Sequence, residues 1–320
     1  MAAVSLAWVG CDGGGTTPPA GTLFDERDFV CEDGASPPCD TTAPARTDEQ
    51  RTAEEPADRD NESFVFVVNW ISIPEVTSGR APGFNLDGID TGPDGDPAGD
   101  CEHFTPDFVA VDDDHIGVDN ALATLVPTIE SLALDGEDLD ATLLEQINEG
   151  SILLGVRVTG VDSFDYDASI QMQLLLLQIP GGGTPTVGGT GRLEAGQTYE
   201  VAMDLGIAVD GDIFDGRVRA QTSSLLLQIN TGDFMLPLEI SQPEVRFDIS
   251  EEGLTGGTIG GFITIDAIVE AAAAAGGIDE ATVRPVVESY ADITPSAADP
   301  MTCEALSVGL SFEATTTAGL

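Results

Sequence analysis

The chain has 320 residues and is 42% hydrophobic, enough for one large domain with a tail or for two modest domains. Its 57 acidic residues face 11 basic ones, all of them arginine, for a formal net charge of −46. Such a charge excludes a general nucleic-acid binder and disfavours anionic lipid head groups; it suits a cationic partner, or a calcium-rich or saline medium that screens self-repulsion.

The opening MAAVSLAWVGC is a short apolar run ending in a small residue and a cysteine. It is similar to the end of a bacterial lipoprotein signal, in which Cys11 takes the lipid and becomes the new N-terminus. Two features depart from that pattern: Trp8 stands where leucine is preferred, and no basic segment precedes the apolar run. On this reading residues 1–10 are a residual signal segment, and a lipid at Cys11 holds the protein to a membrane. Residues 11–62 are acidic, rich in proline and glycine, and too poor in apolar side chains to bury a core, so they are expected to form a disordered tether. With Cys11 lipidated, four cysteines remain. Cys31 and Cys39 flank a short Glu-Asp-Gly-Ala-Ser-Pro-Pro loop that a local disulfide would close, which leaves Cys101 to pair with Cys303. Disulfides place the chain outside the cytosol.

Order is expected from residue 63 onward, as a single β-rich domain reaching residue 320. In SFVFVVNWISI, residues Phe64, Phe66, Val68 and Trp70 alternate with smaller or polar ones, the period of a half-buried strand. An aspartate-rich loop follows. Asp119 then stands where an N-cap would start a helix through ALATLVPTIESL, and a second short helix spans about 139–148. From Ser151 strands dominate, in SILLGVRVTGV, ASIQMQLLLLQI, TYEVAMDLGIAV, DGRVRAQ, SLLLQI, FMLPLEI, EVRFDI and ALSVGLSFEA. In TYEVAMDLGIAV the residues Tyr199, Val201, Met203, Leu205, Ile207 and Val209 share one apolar face. GGTIGG at 256–261 reads as a tight connection between strands, because its spacing is not that of a dinucleotide-binding turn. Helices are expected in IDAIVEAAAAA and over about 279–290. Many short strands with few helices predict a mainly β fold, either an antiparallel β-sandwich or a partly closed barrel. No internal stretch is long and apolar enough to span a membrane.

Chemistry-bearing residues crowd the segment GFNLDGIDTGPDGDPAGDCEHF at 83–104 and VDDDHIGVDN at 111–120. Zinc is a poor match: Cys101, His103 and His115 lack the paired spacing of a tetrahedral site, and a disulfide at Cys101 would remove one ligand. No nucleophile elbow, HExxH or P-loop occurs. Calcium suits the oxygen-rich, glycine-bearing loop, with candidates Asn85, Asp87, Asp94, Asp96, Asp119 and Asn120 and further aspartates at 90, 100, 112 and 114, although the order is not that of an EF-hand. The competing reading is that Asp-Gly pairs make turns, Asp119 caps a helix, and the other carboxylates face water.

Six segments in order carry a resemblance: GFNLDG at 83–88, GVDNAL at 117–122, EGSILLGVRVTGVD at 149–162, FDGRVRA at 214–220, GGTIGGFITIDAIVEA at 256–271 and TCEALSVGLSFEA at 302–314. From about Phe64 to its end the chain resembles a family of exported lipoproteins from delta-proteobacteria, chiefly myxobacteria. That resemblance implies an anchored, mostly β extracytoplasmic domain with no known activity. It also implies pairing of Cys101 with Cys303, and a framework role for Asn85, Asp87, Asp119 and Asn120. The resulting expectation is a lipid-anchored cell-envelope lipoprotein with a non-enzymatic β-rich domain and a calcium-stabilised loop. Two alternatives stay open. A glycan- or ligand-binding sandwich would need Trp70 and other aromatics exposed in a groove. An extracytoplasmic enzyme would need buried, mutually close carboxylates or a histidine in a deep pocket.

Overall fold

A computed structural model describes residues 61–73, 76–87, 101, 103, 105–111, 116–133, 138–221, 224–230, 235–274 and 280–318. All belong to one compact unit, Glu55–Leu320. The signal segment, nearly all of the tether, Cys11, Cys31, Cys39, Asp90, Asp94, Asp96, Asp100, Asp112, Asp114 and His115 lie outside the described residues.

The alternating segments form β1 (Glu62–Ser72), β4 (Leu154–Val161), β5 (Tyr166–Gln178), β6 (Glu200–Phe214), β7 (Arg217–Gln221), β9 (Met235–Ile249), β10 (Gly253–Thr264) and β12 (Cys303–Thr316). Each pairs antiparallel with the next in that order, and β12 returns to β1, so the eight strands close a barrel. The sandwich alternative therefore gives way to a closed barrel. The physical reason is β1: it carries ladders on both edges, to β4 and to β12, and so joins the two ends of the sheet. Additional strands are β8 (Ser224–Asn230) beside β9, β11 (Ile293–Pro295) beside β12, and a small separate pair, β2 (Phe108–Val109) with β3 (Ile116–Val118). Four α-helices are described: α1 (Ala121–Ala133), α2 (Leu139–Glu149), α3 (Ile265–Ala274) and α4 (Glu280–Glu288).

The barrel interior is apolar. Phe66, Val158, Met172, Val218, Phe247 and Phe312 are buried in the main core, and Phe247 meets Phe312 edge to face at 5.9 Å between centroids. The space left inside is a wholly apolar cavity of about 30 Å³, little more than a water or two would fill. Outward positions of β4, β5 and β6 carry Arg157, Gln173 and Asp204, linked as Arg157 to Gln173 at 2.9 Å and Gln173 to Asp204 at 2.9 Å. Apolar-in and polar-out is the inverse of the pattern on a lipid-embedded barrel. Among the described residues no helix is long and apolar enough to cross a membrane.

Several local expectations change. A register shift between Val68 and Trp70 inserts an extra residue into β1, which turns Trp70 away from the face of Phe64, Phe66 and Val68. It stands opposite Glu313, half-buried, with the Arg192 guanidinium 4.9 Å from its ring centroid and Arg192 in turn ion-paired to Glu313. An aromatic groove for a sugar is not what surrounds it. FMLPLEI and EVRFDI are one strand, β9, rather than two. GGTIGG is no connection but the middle of β10: a Cβ on Gly257 would stand 2.6 Å from the Phe312 ring, so glycine marks a close approach there. Val201 and Met203 are 38% and 57% exposed rather than covered.

Cys101 and Cys303 are disulfide-bonded across 202 positions, with Cα atoms 5.2 Å apart. Around them Ile265, Val269, Val287 and Ala291 form a second small core outside the barrel wall. Closing so long a loop restricts the unfolded chain by up to about 5 kcal/mol. Replacing both cysteines by serine should lower the melting temperature by about 5–15 °C, and the unaltered protein under strong reductant should melt with the variant. Coincident melting of oxidised and reduced protein would show that the bond contributes nothing.

Candidate functional site

The aspartate-rich segment begins by lying across the outside of the barrel. At this point β10 and β12 present glycine to glycine, Gly260 opposite Gly309. A Cβ on Gly309 would fall 2.0 Å from the Pro82 carbonyl oxygen, and one on Gly260 would fall 2.4 Å from the Phe84 ring. Only bare backbone admits the arm at residues 82–87 this closely. Phe84 takes the space above Gly260, and the Arg246 guanidinium lies 5.1 Å from its ring centroid. Arg246 and its cross-strand neighbour Arg219 are both buried on this outer wall.

The arm is tied to the residues after β3. Asp119 N–H donates to the Phe84 carbonyl at 3.0 Å, and Leu86 N–H donates to Asp119 Oδ2 at 2.6 Å. Asn120 Nδ2 donates to the carbonyls of Pro82, at 2.7 Å, and Gly309, at 3.1 Å. Its Oδ1 accepts from Ala123 N–H at 3.1 Å. The N-cap of α1 is therefore Asn120, one residue after the expected Asp119, whose carboxylate is turned back onto Leu86. A side chain of Asn120's length reaches both the barrel wall and the first turn of the helix from that position.

The next layer was not legible beforehand. Asp292, between α4 and β11, is buried and accepts from Ser307 N–H at 2.8 Å through Oδ1. Its Oδ2 accepts from the Ser307 hydroxyl. The same hydroxyl oxygen accepts from Ala121 N–H at 2.8 Å, the first amide of α1. His103, two residues past the disulfide, directs Nδ1 at the Thr105 carbonyl at 2.7 Å, so that nitrogen carries the proton.

Four carboxylates thus act on one another across one patch of the outer wall. Burial raises the Asp119 carboxyl well above its usual range, and Asp87, Asp107 and Asp292 push it further, against the opposing Leu86 N–H. Burial pushes the Asp292 carboxyl up to about 7; the two bonds from Ser307 and the nearby His103 pull it down, while Asp107 raises it. Such a group exchanges a proton near neutrality, or keeps its charge beside a cation. The enzyme alternative required buried carboxylates close together, and Asp119 and Asp292 meet that description. Each nevertheless holds framework hydrogen bonds, Asp292 through both oxygens.

Of the expected ligand set, Asn85, Asp87, Asp119 and Asn120 come together, with Asn85 and Asp87 half-buried and the other two buried. Asn120 spends its amide on the fold. Among the described residues no group of three or more His, Cys, Asp or Glu side chains converges to hold a metal ion. Asp107 and Asp292 were missed: the first sits in a segment without periodicity, and the second is about 170 residues from Asp119 along the chain. The only signal for Asp292 was a carboxylate bounded by apolar Ala291 and Ile293. No protein-family model, no curated protein and no solved structure matches this chain.

The raised Asp292 carboxyl gives a pH dependence of defined sign. The folded protein keeps a proton that the unfolded chain, at an ordinary 3.8, has already released. That contribution is fully present below about pH 4 and is lost as pH rises through about 7. Each unit of the window is worth roughly 1.4 kcal/mol, so denaturant unfolding at fixed ionic strength should show stability falling by a few kcal/mol from pH 4 to 7. Asp292→Asn should flatten much of that slope; an unchanged slope would remove Asp292 as its source.

Proposed function

We propose that the chain is a cell-envelope lipoprotein, anchored by a lipid on Cys11, whose folded part is a non-enzymatic extracytoplasmic β-barrel with a calcium ion at its acidic arm. The observation that carries the reading is the Cys101–Cys303 bond. It is buried in its own small core and joins the acidic segment to the last strand, a structural use of cysteine that belongs to an oxidising compartment. The resemblance to exported lipoproteins points the same way, as does the lipoprotein-like run before Cys11.

What supports calcium is charge that the fold leaves poorly balanced. Asp119 is buried next to Asp87 and Asp107, and the electrostatic cost of that arrangement falls when a cation sits among the carboxylates. Asp87 and Asp119 are the side chains that would contact it, with further oxygen ligands from the aspartates at 90–100. A glycan- or ligand-binding reading has less support, since Trp70 is covered by Arg192 and the interior cavity is far smaller than a ligand site.

Two measurements separate the parts of this reading. Expressed with its native leader, the protein should incorporate labelled palmitate and fractionate with membranes, and Cys11→Ser should lose both properties; label retained on the serine variant would remove the anchor. At matched ionic strength, excess calcium should raise the melting temperature by about 5 °C or more, and Asp119→Asn should abolish the rise. An unchanged melting temperature would remove the calcium ion and leave the anchor standing.

A further inference from the structure

The barrel wall is joined unevenly between β6 and its neighbours. β6 and β7 share four register pairs, from Gly211↔Ala220 to Phe214↔Arg217. Carried further, that register would set the Glu200–Asp210 part of β6 against β8. β7 and β8 already behave as one run along β9, because the pairs from Arg217↔Asp248 to Asn230↔Met235 keep a single register. Yet among the described residues no ladder joins β6 to β8: this part of β6 pairs with β5, and β8 pairs with β9. The cause lies on the β5 side. The β5–β6 ladder shifts register between Asp167 and Ile170, between Gln173 and Leu175, and between Leu176 and Leu177. Irregularities of this kind bend and twist the strands that carry them, and here they turn β6 off the line of β8.

The Glu200–Asp210 edge of β6 and the edge of β8 away from β9 are therefore not laddered to each other among the described residues; we call the space between them the slot. Leu205 of β6 and Leu225 of β8 line the interior cavity from its two sides, with Leu174 of β5 beside them. Beside this part of β6, Met203, which stands opposite Leu176 on the inward-facing side, is 57% exposed, and Val201, on the outer face with Asp204, is 38% exposed. Toward water the same part of β6 presents Asp204 and Asp210 on its outer face, β9 adds exposed Glu239, and Glu200 is exposed at the end of the strand. An occupant of this slot must offer backbone donors and acceptors along both edges, apolar side chains inward, and positive charge outward.

We propose that the slot takes an extended segment of a partner protein, apolar at every second residue and basic at the intervening ones, as an added strand between β6 and β8. A segment as long as β8, 7 residues, spans it. With one strand between them the two edges stand about 10 Å apart, twice the spacing of neighbouring strands. The carboxylates along the slot also act against a second copy of this chain, whose net charge is −46.

The test uses the full chain and a blocked, fluorescent heptapeptide of alternating valine and lysine at 0.15 M salt, a salt level at which distant charges are screened within about 8 Å. Two controls accompany it: the same residues arranged in separate valine and lysine blocks, and the alternating peptide with the amides of one edge N-methylated. Micromolar binding is expected for the alternating peptide, with both controls at least about tenfold weaker, the loss of one or two backbone hydrogen bonds. Amide exchange should slow in both Glu200–Asp210 and Ser224–Asn230. Asp204→Arg with Asp210→Arg, both at exposed positions, should weaken binding by a similar factor, with native folding of the variant checked by its far-UV spectrum and cooperative melt. Equal affinity for the blocked-composition peptide would mean charge adhesion alone, and protection confined to one of the two segments would mean no inserted strand. Concentration-dependent self-association that protects both segments without peptide would assign the slot to a second copy. Any of these three results overturns the proposal.

Discussion

A carbonyl oxygen of Pro82 stands where Gly309 would carry a side chain, and the Phe84 ring stands where Gly260 would carry one. Most of the outer architecture follows from those two approaches. Because the arm at residues 82–87 lies directly on the wall, Asn120 reaches Pro82 and Gly309 at once, and its remaining oxygen starts α1. With α1 begun at that point, Ala121 N–H meets Ser307, and Ser307 binds Asp292 from the opposite direction. One backbone-to-backbone contact thereby sets a helix start, a buried hydroxyl and a buried carboxyl. The glycines act through the space they leave, since side-chain atoms would have to be pushed out of a closely packed wall.

The same contact explains why carboxylates collect at this spot in a chain that could have left them all in water. Asp119 follows β3 immediately and cannot avoid the wall once Asn120 has docked; its Oδ2 is spent on Leu86 N–H. Asp292 serves Ser307 with both oxygens. Each is locally satisfied by hydrogen bonds, yet their charges remain close enough to oppose one another, and burial adds to that opposition. The disulfide and its small apolar core sit beside this arrangement and hold the return of the acidic segment to β12. Polar framework and charge repulsion are thus in direct competition in one place.

Much of the barrel was legible as alternation. Strands β4, β5 and β12 read correctly because apolar residues inside and polar residues outside repeat with the period of the backbone, whereas the Asp210-Gly211 pair, a hairpin signal in the sequence, lies inside β6, which turns only at Asp215-Gly216. Three misreadings share a different cause, contacts between distant parts of the chain. Trp70 continues the alternation of β1 on paper, but a bulge against β12 moves it to the outer wall. GGTIGG lacks side chains to show a period, and its glycines answer to Phe312 and Phe84, residues remote in sequence. Met203 and Val201 have the pattern of covered residues and are exposed, Val201 because register shifts against β5 move it to the outer face with Asp204. The resemblance singles out Asn85, Asp87, Asp119 and Asn120 without saying whether they meet, and Asp107 and Asp292 carry no motif.

The sequence by itself determined the β-rich class, the position of most strands and helices, and the concentration of charge, because these depend on composition and on short-range period. Only the tertiary structure decided that the sheet closes into a barrel, that Asn120 rather than Asp119 caps the helix, and that Asp292 joins the acidic patch. Closure, capping geometry and burial of charge each depend on which distant residues meet. The physical reason is that register and bulges, accumulated strand by strand, set those meetings, and neither is written in any local stretch of residues.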